Sequence, residues 1–116
     1  MIELYSSEDI EKFIRDYKVS VLYFSSKNCN VCKALLPKIE KLFNKYNKIK
    51  LAKVEIDKLQ LAAGEYSIFT LPVVILYIDG KETIREARFI SISELQNKIE
   101  RFYDLVWLKN DNWLHQ

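Results

Sequence analysis

The sequence predicts an α/β fold: a mixed sheet with helices on both faces, its elements running in the order βαβαβαββα. Three observations lead to that reading. Segments whose apolar residues recur three and four apart alternate with apolar runs of strand length. Two of those runs, Val19–Phe24 and Val73–Ile78, are apolar at nearly every position, as strands covered on both faces are. Asp79-Gly80 directly follows the second run and is a two-residue signal for an antiparallel hairpin.

Taken in order, Ile2–Tyr5 reads as a short first strand. Ile10, Phe13, Ile14 and Tyr17 then fall at i, i+3, i+4 and i+7 and share one helical face, with Ser6 and Ser7 ahead of them as N-cap candidates. After the strand Val19–Phe24, helical spacing returns in Val31, Leu35, Ile39, Leu42, Phe43 and Tyr46. Pro37 lies inside that helix, removes the bond to the Lys33 carbonyl and predicts a kink. Ile49–Ile56 is the third expected strand.

Asp57 and Gln60 resemble a capping box opening a short helix that carries Leu61, Ala62 and Tyr66. Pro72 opens the Val73–Ile78 strand, and the Asp79-Gly80 turn, which needs positive φ at both residues, leads to a return strand at Thr83–Phe89. Ser91 with Glu94 forms another capping box, and Leu95, Ile99, Phe102, Tyr103 and Val106 trace a final helical face. The whole chain, 1–116, reads as one domain with 109–116 as a C-terminal tail. Trp107, Leu108, Trp113 and Leu114 extend past the last required helix and are expected to pack back on the domain rather than form a dimer contact. No specific role is expected for His115.

Composition narrows the function classes. Eighteen basic and sixteen acidic residues leave a net charge of +2, without the basic excess of a nucleic-acid binder. The longest apolar run, Val73–Ile78, is far too short to span a membrane. The start of the chain, with Glu3, Glu8 and Asp9, lacks the features of a signal peptide, so a cytoplasmic protein is expected. The lysines at 38, 41, 45, 48 and 50 read as a solvated helix face and loop rather than as an acidic partner's site. Most of the frequent Tyr and Phe residues fall at core spacings and call for no ligand.

Cys29 and Cys32 are the chain's two cysteines, placed where a buried strand turns into a helix. A thiolate there meets unpaired backbone N–H groups and the positive end of the helix dipole, which lowers its pKa from roughly 8.5 toward about 3.5–7.5. Lys27 and Lys33 flank the pair and act in the same direction. The spacing lets one sulfur attack a disulfide and the other resolve the mixed disulfide. Cys29, nearer the helix end, is assigned the attack. Closed tetrahedral zinc needs two further ligands, and only His115 is on offer outside the carboxylates. A structural disulfide across so small a loop would stabilise little. An iron–sulfur or metal site shared across a dimer is the remaining metal alternative.

The Cys-x-x-Cys pair within a βαβ pattern resembles the thioredoxin family. Phe24 before the motif, Lys33 after it, Pro37 in the helix, Ala52-Lys53-Val54-Glu55-Ile56-Asp57, and Thr70-Leu71-Pro72 ahead of an apolar strand and Asp79-Gly80 carry the resemblance along nearly the whole chain. It implies a thioredoxin-like three-layer sandwich, a cis Pro72 beside the cysteines, and main-chain recognition of substrate at Leu71. It also implies Lys53 beneath the pair as a tuning residue. Four positions depart from the family pattern. Asn28 replaces a tryptophan, Asn30-Val31 replaces Gly-Pro, Tyr23 replaces a buried acid, and Arg88 replaces a glycine beside the substrate groove. A phenol at Tyr23 is a poor base near neutral pH, so resolution by Cys32 should be slowed. Arg88 should narrow the groove or favour acidic partners.

The expected function is therefore a protein-disulfide reductase without bound cofactor or metal. Its substrate is a disulfide-containing protein and its electrons come from a reductase, with no nucleic acid or membrane involved and a monomer expected. The alternatives are a thioredoxin-like binding or redox-sensing module with weak turnover, and a metal or cluster carrier across a dimer.

Overall fold

The computed structural model describes the backbone of residues 1–114 and the side chains of residues 1–106. Its elements are β1 (Ile2–Glu3), α1 (Ser7–Asp16), β2 (Val19–Ser25), α2 (Asn30–Phe43), β3 (Ile49–Glu55), α3 (Leu61–Glu65), β4 (Val73–Ile78), β5 (Lys81–Ala87) and α4 (Ile92–Leu114). The order is the one expected from the sequence. The five strands form one sheet in the order β1-β3-β2-β4-β5, with β1, β3 and β2 parallel and β4 and β5 joined on antiparallel.

β2 is the central strand, buried at all seven positions. Its side chains alternate between two cores, as the period of a strand requires. Val19, Val21 and Tyr23 meet Ile39, Leu42 and Phe43 of α2 and Leu95 and Ile99 of α4. Leu22 and Phe24 meet Ile10, Phe13 and Ile14 of α1 and Ala62 of α3. Each fully buried apolar side chain of this kind contributes about 1.5–3 kcal/mol. The two cores pin β2, and with it the start of α2, from both sides of the sheet.

Several boundaries differ from expectation for local reasons. β1 stops at Glu3, although the Leu4 N–H still donates to the Lys53 carbonyl at 3.0 Å. α2 begins at Asn30 and turns Val31 outward, 61% exposed, so the buried residue of the first turn is Cys32. Helix α2 continues through Pro37 and closes at Asn44, which leaves Tyr46 buried but beyond the helix. The Asp57 carboxylate does not cap α3. It accepts the Lys27 N–H at 2.7 Å, and α3 starts later, at Leu61, without a side-chain cap.

The return strand runs from Lys81 to Ala87, two residues earlier than expected. Asp79 and Gly80 both have positive φ, 50° and 80°, and such a two-residue turn lets pairing resume at once. A bulge between the pairs Leu76–Ile84 and Tyr77–Glu82 takes up Thr83. Ser6 caps α1 through the Asp9 N–H, and Ser91 caps α4 through the Glu94 N–H, as the sequence suggested. The backbone of α4 is helical to Leu114, so the expected tail at 109–116 is largely an extension of that helix. The packing of Trp107, Leu108, Trp113 and Leu114 and the position of His115 lie outside the described residues.

Candidate active site

The carboxyl end of β2, the start of β4 and the end of β5 meet at one end of the sheet. Phe24 pairs with Val73, and Val73 pairs with Ala87. The chain leaving β2 runs through Ser26, Lys27 and Asn28 into Cys29, which is the N-cap of α2. The Cys29 N–H donates to the Ser26 carbonyl at 3.2 Å, and the Asp57 carboxylate holds the Lys27 N–H from the β3–α3 connection. The redox loop is thus tied at both of its shoulders.

Cys29 and Cys32 are joined as a disulfide. Cys32 is buried, 1% exposed, while Cys29 is partly exposed at the surface. The Cys32 N–H donates to Cys29 Sγ at 3.2 Å, so the cap of the helix is the sulfur itself. When the pair is reduced, that N–H and the helix dipole favour negative charge on Cys29. The geometry therefore separates an accessible sulfur that can be attacked from a buried one that cannot be reached directly.

Tyr23 reaches the same turn from below. Its ring is fully buried in β2, and its hydroxyl donates to the Cys32 carbonyl at 2.7 Å. Burial pushes the phenol up to about 12, so it stays protonated and acts as a donor. Lys53 sits beside Tyr23 in the register of β2 and β3, but its ammonium is held by Glu3 at 2.9 Å and Glu55 at 3.2 Å. Those carboxylates raise its pKa, chiefly the Glu3 hydrogen bond. Lys53 thus belongs to an edge cluster, with Tyr5 and Lys58 alongside.

On the facing side the Leu71–Pro72 peptide is cis, and Pro72 is buried. Leu71 and Cys29 both pack against the core that contains Cys32 and Tyr23. The Arg88 N–H donates to the Pro72 carbonyl at 3.0 Å, which brings Arg88 to the same rim. Arg88 adopts φ 66°, a left-handed conformation that suits glycine and strains a larger residue. Its guanidinium lies over the Phe89 ring, 5.7 Å from the centroid. Asn28 and Lys33 are exposed on the loop and in the first turns of α2.

Three apolar residues of this end are exposed in a way the sequence does not indicate. Phe69 and Phe89 are each 89% exposed, and Val31 projects from α2. They flank Leu71-Pro72, Arg88 and Cys29 along the chain. Frequent Phe and Tyr read as core material in the sequence, Val31 as part of a helical face and Phe89 as the end of the return strand, and only Phe69 falls outside every apolar pattern.

Comparison with known proteins agrees with this geometry. The family model described as Thioredoxin matches residues 2–101. The thioredoxin-like protein YdfQ of Bacillus subtilis is 41% identical over 105 residues, 90% of this chain and 94% of that protein. The thioredoxin of Chlamydia caviae is 33% identical over 85 residues, 73% of this chain and 82% of its own. Among solved structures, Fasciola hepatica thioredoxin superposes with a TM-score of 0.79 at 30% identity, covering 87% of this chain and 98% of its own. Plasmodium falciparum thioredoxin, at 20% identity and a TM-score of 0.80 over 88% of this chain and 99% of its own, supports the fold.

Proposed function

Since the chain belongs to the thioredoxin family, we propose that Cys29 attacks substrate disulfides and Cys32 resolves the product, in a reductant of proteins. The chain is a thiol–disulfide oxidoreductase of the protein-disulfide reductase type. The observation that supports the division of labour is the unequal exposure of the two sulfurs, one partly open at the N-cap of α2 and one buried.

The reaction balances as two exchanges. The Cys29 thiolate bonds to one sulfur of the substrate disulfide, whose other sulfur leaves as a thiolate. Cys32, having lost its proton, then bonds to Cys29 Sγ and expels the second substrate sulfur. The substrate gains two electrons and, on protonation, two protons. The protein is left with the Cys29–Cys32 disulfide and is recharged by two electrons from a reductase or another dithiol. The phenol of Tyr23 does not take the Cys32 proton, so water or a substrate thiolate serves as the base.

Substrate lies as an extended strand against the main chain of Leu71 and beside Pro72, between the aromatic rims at Phe69 and Phe89 and the cation of Arg88. The surface suits a disulfide whose flanking residues are apolar with an acidic group nearby. The protein works as a monomer in the cytoplasm, where a reducing pair of this kind turns over. Among the described residues no helix is long and apolar enough to cross a membrane.

The test is trapping with a defined cystine peptide. Cys32→Ser should hold the peptide as a disulfide adduct on Cys29, visible as an intact-mass increase, and Cys29→Ser should hold none. A folded Cys32→Ser protein that forms no adduct would sink the assignment.

A further inference from the structure

A second feature lies on the α2–α4 face of the sheet. Lys38 and Lys41 on α2, with Lys45 in the turn that closes it, fall at i, i+3 and i+7 and follow one side of the helix for about 10 Å. All three are exposed, and none forms an ion pair among the described residues. Glu40 of the same helix faces the other way, into a groove with Glu3 and Lys53. Charge on α2 is therefore sorted by side, and the three lysines repel one another with no carboxylate paired to them among the described residues.

These lysines form one wall of a groove of about 470 Å³ whose apolar lining includes Leu35, Ile90 and Ile92. Among the described residues no carboxylate lines it. Ile92 is the first residue of α4, a helix of 23 residues, so the positive end of its dipole adjoins the groove. The groove adjoins the redox end of the molecule through two short connections. Leu35 is three residues after Cys32, and Ile90 is two residues after Arg88.

Although the lysine pattern alone reads as a solvated face, the apolar floor beside it changes that reading, and we propose that this groove docks an acidic amphipathic segment of a protein that exchanges disulfides with the Cys29–Cys32 pair. Carboxylates at helical spacing meet Lys38, Lys41 and Lys45, and an apolar side chain of the same segment seats against Leu35, Ile90 and Ile92. A concave site with an apolar floor and only three cations fits such a segment better than a nucleic acid or an anionic membrane, which reward a broad basic surface. The identity of the partner rests on the oxidoreductase reading; the binding does not.

Two probes separate these. A fluorescent Glu/Leu amphipathic helix without cysteine should bind the oxidised full chain by anisotropy, weaken as salt rises to about 0.5 M, and shift the amide resonances of residues 35–45 and 90–92. The charge-reversed protein K38E/K41E/K45E should bind it at least about ten-fold more weakly. A Lys/Leu version of the peptide binding equally well, or binding that survives the charge reversal, overturns the groove. Tighter binding of a duplex oligonucleotide or of phosphatidylserine vesicles through the same lysines also overturns it. Fusing the acidic helix to a cystine peptide should raise kcat/KM for the native protein and not for K38E/K41E/K45E, while the unfused cystine peptide is reduced equally by both. Failure to reduce the unfused peptide counts against the redox reading, and leaves the anisotropy result to judge the groove.

Discussion

The Tyr23 hydroxyl donates a 2.7 Å hydrogen bond to the carbonyl of Cys32. This bond ties the central strand to the turn that carries Cys32, at the position where the family pattern has a carboxylate. A proton acceptor has been exchanged for a donor held to about 12 by burial. The consequence is mechanical: the turn is anchored, and the Cys32 proton must leave by another route.

Tyr23→Phe should lower stability by about 1 kcal/mol, the net value of one buried hydrogen bond. It should leave the pH profile of mixed-disulfide resolution unchanged up to about pH 9, because a phenol titrating near 12 takes no part below that. Denaturant unfolding and single-turnover decay of a Cys29 adduct measure the two effects separately. A profile that moves in this range would show the phenol acting as a base.

The Glu3–Lys53 pair makes stability depend on acid. Glu3 is lowered from 4.5 to about 2, first by the Tyr5 hydroxyl and then by Lys53. A group depressed in the folded state stabilises above its unfolded pKa and loses that contribution as pH falls through the folded value. Lys53 is raised, so its share is present below 10.5 and fades only above that. Thermal midpoints should therefore fall between about pH 4.5 and 2, and Glu3→Gln should flatten that part of the curve. Because both side chains are only partly buried, the effect should shrink in high salt.

Arg88→Gly relieves a left-handed backbone and should stabilise the fold by about 1 kcal/mol. Removing the cation should also reduce any preference for acidic over neutral cystine peptides, by about two- to five-fold in kcat/KM. Parallel assays of two peptides differing only in one Glu/Gln position read this out. An unchanged ratio would remove Arg88 from substrate selection.

Phe69→Ser with Phe89→Ser should leave the melting midpoint unchanged, since both rings stand in solvent. The double variant should lose about ten-fold in kcat/KM toward a protein disulfide. It should reduce a small aromatic disulfide at the native rate, because that molecule is too small to span the rim. Equal losses on both substrates would point to damage at the sulfurs instead.

Much of this protein follows from local patterns along the chain. Spacing of three and four in Ile10, Phe13 and Ile14, the unbroken apolar run Val73–Ile78, and Asp79-Gly80 with its two positive φ values determined element type and order, because each depends on neighbours in sequence. Cys29-x-x-Cys32 at a strand-to-helix junction likewise determined the redox chemistry. Side-chain partners were decided only by the tertiary structure, since they come from segments brought together by sheet register. Asp57 looks like a helix cap in sequence, yet it holds Lys27 across the β3–α3 connection. Lys53 lies one strand from Tyr23, yet the neighbouring Glu3 and Glu55 take its charge. Phe69 and Phe89 carry the composition of a core and stand in water, because they lie in the connections outside β4 and β5, where no sheet register fixes a facing side. Periodicity reports which face of its own element a residue occupies; only the assembled sheet determines what stands opposite.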